Sequence, residues 1–238
     1  MDHSIESQHV VIVGGTSGMG LAAARVLKSR GARVTVTGRD PVRLDQARSE
    51  GFVAAAVDAL SDKVVADFFA GAGKIDHLVI CVSGAKGAGP FATLDVDTLT
   101  AGFAEKVMAQ IRVARAALAT LRRDGSLTFI TAASARASLP GTAGLAMING
   151  ALEAMVKPLA RELQPLRVNA VSPGVVETAW WDRLPAATRE QVLEGASKAS
   201  LVKRNGSAEE LGEAIAFVVG AGFMTGSVLE IDGGVRLT

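Results

Sequence analysis

The stretch His9–Arg25, HVVIVGGTSGMGLAAAR, restricts the possible folds of this chain more than any other. Val10-Val11-Ile12-Val13 is apolar and β-branched throughout, which suits a strand buried on both faces. Glycines follow at Gly14, Gly15, Gly18 and Gly20, and then an Ala/Leu-rich segment of helical character from Leu21 to Ser29. Strand, glycine turn and helix, in that order, are the setting in which a glycine pattern signals dinucleotide binding. Gly14, Gly18 and Gly20 let the backbone turn tightly and approach a pyrophosphate, and Thr16 and Ser17 add hydroxyl donors. A helix beginning near Gly18 directs its free N–H groups and the positive end of its dipole at those phosphates.

The remaining chain alternates strand and helix signals without a Pro/Ser-rich linker, a charge block or a repeat. Strands are expected over Ala32–Thr37, Phe52–Val57, Asp76–Val82, Ser126–Thr131, Arg167–Val171 and Val228–Ile231. Helices are expected over Pro41–Glu50, from an N-cap at Ser61 or Asp62 through Phe69, from about Val96 to Leu121, and from about Ala146 to Leu163. Further helices reach Val219, and Pro173 to about Ala186 is a loop. The pattern implies one α/β domain over 1–238, a doubly wound parallel sheet of about seven strands with helices on both faces. Ligands of such a sheet bind beyond the carboxyl ends of its strands.

Composition removes several alternatives. With 25 Lys plus Arg against 24 Asp plus Glu, the net charge of +1 gives no electrostatic case for nucleic acid or a membrane surface. Cys81 is the one cysteine, so no intramolecular disulfide and no thiolate metal cluster is expected; flanked by Ile80 and Val82, it reads as a buried strand residue. No apolar stretch has the length of a membrane span, and MDHSIESQ at the start lacks a signal-peptide pattern, so a cytoplasmic location is expected. The chain also contains no tyrosine.

Over its whole length the sequence resembles the short-chain dehydrogenases/reductases. Val13-Gly14-Gly15-Thr16-Ser17-Gly18-Met19-Gly20 is similar to that family's T-G-x-x-x-G-x-G, with valine in place of the threonine. Arg167-Val168-Asn169-Ala170-Val171-Ser172-Pro173-Gly174 resembles its R-V-N-x-x-x-P-G, and Thr225-Gly226 with Asp232-Gly233-Gly234 resembles its closing motif. The resemblance implies a Rossmann-like fold and a nicotinamide cofactor, with Asp58 against the adenine amine and Ala59 beside it. Met19, Ser83, Gly84, Pro173, Gly174, Val176 and Thr178 complete the implied cofactor wall, and residues of about 173–200 form a substrate lid carrying Trp180 and Trp181. It further implies a homodimer or homotetramer through the two long helices, with a small molecule as substrate. At the end of the second strand an acidic residue would accept from a free ribose 2′-hydroxyl. Here Gly38 and Arg39 stand there, which favours NADP(H) over NAD(H); Asp40 follows at once, and the alternative is that Arg39 merely pairs with Asp40 or Asp58.

The family's acid/base pair, a Tyr and a Lys four residues later, is not found. One register places Leu145, Asn149 and Ala132 at the Tyr, Lys and Ser positions; another uses Ser134 as the serine and puts Met147 and Ala151 at the other two. Lys106 stands where the family carries an asparagine, so it can bind the nicotinamide ribose or, if desolvated, donate a proton, unless it simply pairs with Glu105. Asn149 is a second candidate for the ribose, and Ser134 and Thr131 are candidate donors to a substrate oxygen. No histidine serves, since His3 lies in the tail and His9 and His77 begin strands. The leading expectation is an NADP(H)-dependent oxidoreductase with a non-standard proton donor, acting on a small, largely apolar carbonyl, quinone, activated alkene or imine. The alternatives are a nucleotide-binding protein without redox activity and a non-redox lyase or cyclase.

Overall fold

The computed structural model describes residues 5–238, so His3 lies outside the described residues. β1 (His9–Val13), β2 (Arg33–Gly38) and β3 (Val53–Ala56) alternate with α1 (Gly18–Ser29), α2 (Pro41–Ser49) and α3 (Asp62–Gly71). β4 (Ile75–Ile80) then returns to pair with the other side of β1. With β5 (Leu121–Ile130), β6 (Arg167–Pro173) and a last strand at Val228–Ile231, these form one parallel sheet in the order β3-β2-β1-β4-β5-β6 and last strand. The direction of winding reverses between β1 and β4, and an open α/β sheet has its crevice at such a switch point.

Each strand buries both faces. Val11 and Val13 face one core with Val65, Phe69, Val113, Leu152 and Val156, while Val10 and Ile12 face the other with Leu27, Leu211 and Ile215. The first core lies under α3, α5 (Ala109–Ala117) and α6 (Ala143–Glu162). The second lies under α1 and the helix Ala208–Gly220, which approach closely: a Cβ on Gly212 would lie 2.8 Å from the Ala22 carbonyl carbon. The Arg167-Val168-Asn169 motif is structural. The Arg167 guanidinium donates to the carbonyls of Val219 (2.7 Å) and Ala221 (3.0 Å), and Asn169 Nδ2 donates to Met224 O (2.8 Å). Arg167 thus satisfies carbonyls at the end of that helix, and Asn169 one in the turn beyond it.

Four expectations change. The helix expected over Val96–Leu121 is α4 (Val96–Phe103), a π-helical turn at Ala104–Met108 and α5, and it stops at Ala117. Its expected last residue, Leu121, opens β5, which is longer than Ser126–Thr131; its register shifts against β4 between Ile75 and His77. α6 starts three residues before Ala146. In the expected loop after Pro173, β7 (Val176–Glu177) precedes α7 (Ala186–Ala199) and pairs with β8 (Gly206–Ser207), ahead of α8 (Ala208–Gly220) and β9 (Val228–Ile231). No helix among the described residues is long and apolar enough to cross a membrane.

His9 and His77 lie at the amino ends of β1 and β4, opposite the crevice. His77 is hydrogen-bonded through Nδ1 to Ser126 Oγ (2.8 Å) and through Nε2 to Gln8 Oε1, and burial pushes its pKa down to about 4. The folded state therefore refuses a proton that the unfolded chain accepts below pH 6.5. Stability should be fully present above pH 6.5 and fall by about 3 kcal/mol as the pH drops through about 4. Urea unfolding across that range checks this, and His77→Gln should flatten the dependence.

Candidate active site

A cavity of 520 Å³ opens beyond the carboxyl ends of β1, β4, β5 and β6. Its floor is the glycine loop. Gly14 adopts φ +82°, and a Cβ there would lie 2.8 Å from Cys81 O; a Cβ on Gly20 would lie 2.4 Å from Gly14 O. Side chains at either position would fill the space that lets the loop fold back on the end of β4. Ser17 precedes α1 without capping it, and no acidic residue occupies that helix's first turn. The first N–H groups of α1 thus remain available to an anion.

The glycine loop residues Gly14, Ser17, Gly18, Met19 and Gly20 line the cavity, as do Ser83, Gly84, Pro173, Gly174, Val176 and Thr178. Thr16, Arg39, Asp58 and Ala59 do not. Thr16 packs over β2, its Oγ1 2.3 Å from where a Gly38 Cβ would stand. Asp58 Oδ1 accepts from Leu60 N (3.0 Å), and Ala59 is buried with its carbonyl accepting from Arg112 Nη1 (3.1 Å). Asp40 does not pair with Arg39. It caps α2, accepting from Val42 N (2.9 Å) and Arg43 N (3.3 Å). Arg43 in turn pairs through Nε with Asp40 Oδ2 (3.7 Å) and donates through Nη1 to Ser17 Oγ (3.3 Å), setting a second guanidinium beside the glycine loop. Its position in the first turn after the Asp40 cap was the sequence signal for this role.

Lys106 lies in the π-helical turn and is only 7% exposed. The residue lines the cavity, and its Nζ donates to Thr131 O (3.1 Å). It does not pair with Glu105, which is bound by Lys86 Nζ (2.8 Å) and Ala85 N (3.3 Å). No carboxylate is in ion-pair contact with Lys106 among the described residues. Burial pushes its pKa down to about 8, against the opposing pull of Glu153. The sulfur of Cys81 stands in the same wall, one residue beyond β4 rather than inside it, and burial pushes its pKa up to about 12, so the thiol is neutral.

Leu145 and Asn149 line the cavity, whereas Met147 is half exposed and Ala151 does not line it. Asn149 Nδ2 donates to Ser134 Oγ (3.1 Å) and Leu145 O (2.9 Å), while its buried Oδ1 has no partner. Ser134 and Thr131 both reach the cavity, but the Thr131 hydroxyl donates to Glu153 Oε1 (3.0 Å) and lies 3.3 Å from Val171 O. The expectation of Thr131 as a donor to substrate is corrected on that ground: its hydroxyl is committed below the cavity, and its carbonyl holds Lys106.

Glu153 was not foreseen. Its buried carboxylate also takes Arg136 Nε (2.8 Å), and Arg136 Nη1 continues to Glu230 Oε1 (2.9 Å). Glu153 follows Asn149 by four residues, so both lie on one face of α6, and that spacing was the available signal. Trp180 and Trp181 close the lid side, packed edge to face with centroids 4.7 Å apart. Arg183 covers Trp180 at 3.0 Å, and Trp181 Nε1 donates to Val176 O (2.9 Å). No group of three or more His, Cys, Asp or Glu able to hold a metal occurs among the described residues.

Residues 13–236 match the family model described as enoyl-(acyl carrier protein) reductase. The short-chain dehydrogenase/reductase ucsE of Acremonium sp is 27% identical over 252 residues, covering 97% of this chain and 96% of that protein. A crystal structure of a small-chain dehydrogenase in complex with NADPH superposes with a TM-score of 0.85 at 29% identity, covering 98% of this chain and all of that one. The MalC reductase/Diels–Alderase of Malbranchea aurantiaca superposes with a TM-score of 0.87 at 26% identity, both chains being covered completely.

Lys106 should titrate near pH 8 when followed by NMR of ¹³C-labelled lysine. Glu153→Gln removes the charge that favours the ammonium and should lower that midpoint further. An unchanged midpoint would mean that Glu153 does not act on Lys106.

Proposed function

Because the chain belongs to the short-chain dehydrogenase/reductase family, we propose that it is an NADP(H)-dependent oxidoreductase that works without a tyrosine acid. The observation that carries this reading is Lys106, a buried lysine without a counter-ion among the described residues, lining the same cavity as Asn149 and Ser134.

The residues present fit a dinucleotide. The backbone at Gly14 and Gly20 leaves no room for side chains, the free N–H groups of α1 suit a pyrophosphate, and the orphaned Asn149 Oδ1 suits a ribose hydroxyl. Arg39 and Arg43 would hold a 2′-phosphate, Arg43 giving up its long contact with Asp40 Oδ2 (3.7 Å) to do so. When bound, the nicotinamide supplies or takes a hydride. The chain's own residues position and protonate. Ser134 Oγ stands beside Asn149 as a donor to the substrate oxygen. Lys106 Nζ, held by Thr131 O, gives up a proton readily because its charged form is desolvated. Trp180, Leu139 and Leu145 give an apolar surface suited to a small carbonyl, quinone, activated alkene or imine. Met108, Leu118 and Met147 leave exposed apolar surface on the long helices, which supports a homodimer or homotetramer there. A ring-forming, non-redox step is the second reading, favoured by the description of MalC as both reductase and Diels–Alderase.

Fluorescence titration should show NADPH binding more tightly than NADH, with oxidation of NADPH on adding at least one of a quinone, ketone, enone and imine panel. Arg43→Ala should weaken NADPH by about tenfold and NADH by less than about twofold. Equal effects on the two nucleotides would remove the 2′-phosphate assignment, and no turnover across the panel would remove the redox reading.

A further inference from the structure

Lys106 combines three properties that make an amine nucleophilic. It lines the cavity, its side chain is buried, and its Nζ donates to a carbonyl rather than to a carboxylate. The nearby carboxylates are engaged elsewhere, Glu105 by Lys86 and Glu153 by Arg136 and Thr131. The same cavity carries apolar side chains, Ala132, Leu139, Leu145 and Ile148 among them, and its volume of 520 Å³ is sufficient for a small organic molecule. By contrast, Lys63 and Lys198 are exposed and paired with the carboxylates of Asp67 and Glu194 at 2.5 Å. Desolvation in an apolar pocket is one of the ways in which a lysine is activated toward carbonyl carbon.

We propose that Lys106 captures small apolar aldehydes or ketones as a protonated imine, an activity separate from hydride transfer. The Nζ lone pair forms a bond to the carbonyl carbon as the C=O π pair moves to oxygen. A proton passes from nitrogen to that oxygen, giving a carbinolamine. The hydroxyl takes a second proton and leaves as water while the nitrogen lone pair closes the C=N bond. The balance is carbonyl compound plus lysine ammonium to protonated imine plus water, with no oxidant or reductant. The protonated imine withdraws electrons from its α-carbon, so the captured molecule is activated there. The lowered pKa supports the same chemistry. With a value of about 8, roughly a tenth of Lys106 is free amine at pH 7, against less than about a thousandth of an ordinary lysine.

The test treats the purified full chain at pH 7, with no nucleotide added, with benzaldehyde and sodium cyanoborohydride, and maps the benzylated lysines by peptide mass spectrometry. Lys106 should be modified at least about tenfold faster than Lys63 and Lys198, and denaturant should abolish that preference. In Lys106→Arg the fast modification should vanish while the exposed lysines react as before. An unmodified Lys106, or one no faster than the exposed lysines in the native protein, overturns the proposal. The decisive comparison is made within one native sample and does not depend on a variant folding. No nucleotide is needed, so a chain without hydride transfer can still pass and a redox-active chain can still fail.

Discussion

The desolvated ammonium of Lys106 is the constraint on which the cavity's arrangement depends. Holding it at the cavity wall with no contacting carboxylate lowers its pKa by an amount equivalent to about 3 kcal/mol against the charged form. The fold sustains that cost because its surroundings fix the position. The π-helical turn at Ala104–Met108 directs Lys106 and Val107 inward, and insertions of this kind occur often at functional sites. Gln110, in the following turn, donates to Val82 O (2.9 Å) and Ile130 O (3.0 Å), pinning this helix to the ends of β4 and β5. Thr131, which holds Lys106 through its carbonyl, follows β5 directly.

Below that layer a chain of charges joins the site to the C-terminal segment. Glu153 is bound by Arg136, Arg136 by Glu230, and Arg236 by both Glu230 and Asp232. Asp232 also accepts from Gly234 N (2.9 Å), so the closing Asp-Gly-Gly motif is a turn secured by its own aspartate. Arg167-Val168-Asn169 therefore acts on the scaffold, the closing motif both secures its own turn and lines the cavity through Asp232 and Gly233, and the glycine loop forms the cavity floor.

The strand, glycine turn and helix at the start were legible because apolar run, glycine spacing and helical composition agree within 17 residues. The parallel sheet followed from the alternation that continues to Ile231. The π-helical turn was not legible, since Ala104–Met108 satisfies an ordinary helical pattern and the extra residue shows only in the backbone. Nor was the start of β5, where Arg122-Arg123-Asp124 reads as polar and loop-like although Leu121 pairs with Ile75. The cavity residues were placed through their motif positions, and their partners were not. Glu105 beside Lys106 in sequence is the natural salt-bridge partner on local grounds, but Lys86, from a different loop, takes it. The Arg43–Ser17 contact is likewise a tertiary fact: the sequence shows a basic residue near a helix start, not which loop lies against it.

Lys106 is proposed to provide the proton that the family's tyrosine gives. The most direct measurement is the pH–rate profile for NADPH oxidation by a ketone substrate, compared between the native chain and Lys106→Arg, which keeps the positive charge but cannot give up a proton. The native rate should fall above about pH 8, and the variant should lose that break together with about 100-fold or more of the rate. The same break and a similar rate in Lys106→Arg would contradict the claim and place the proton source in Ser134 or solvent.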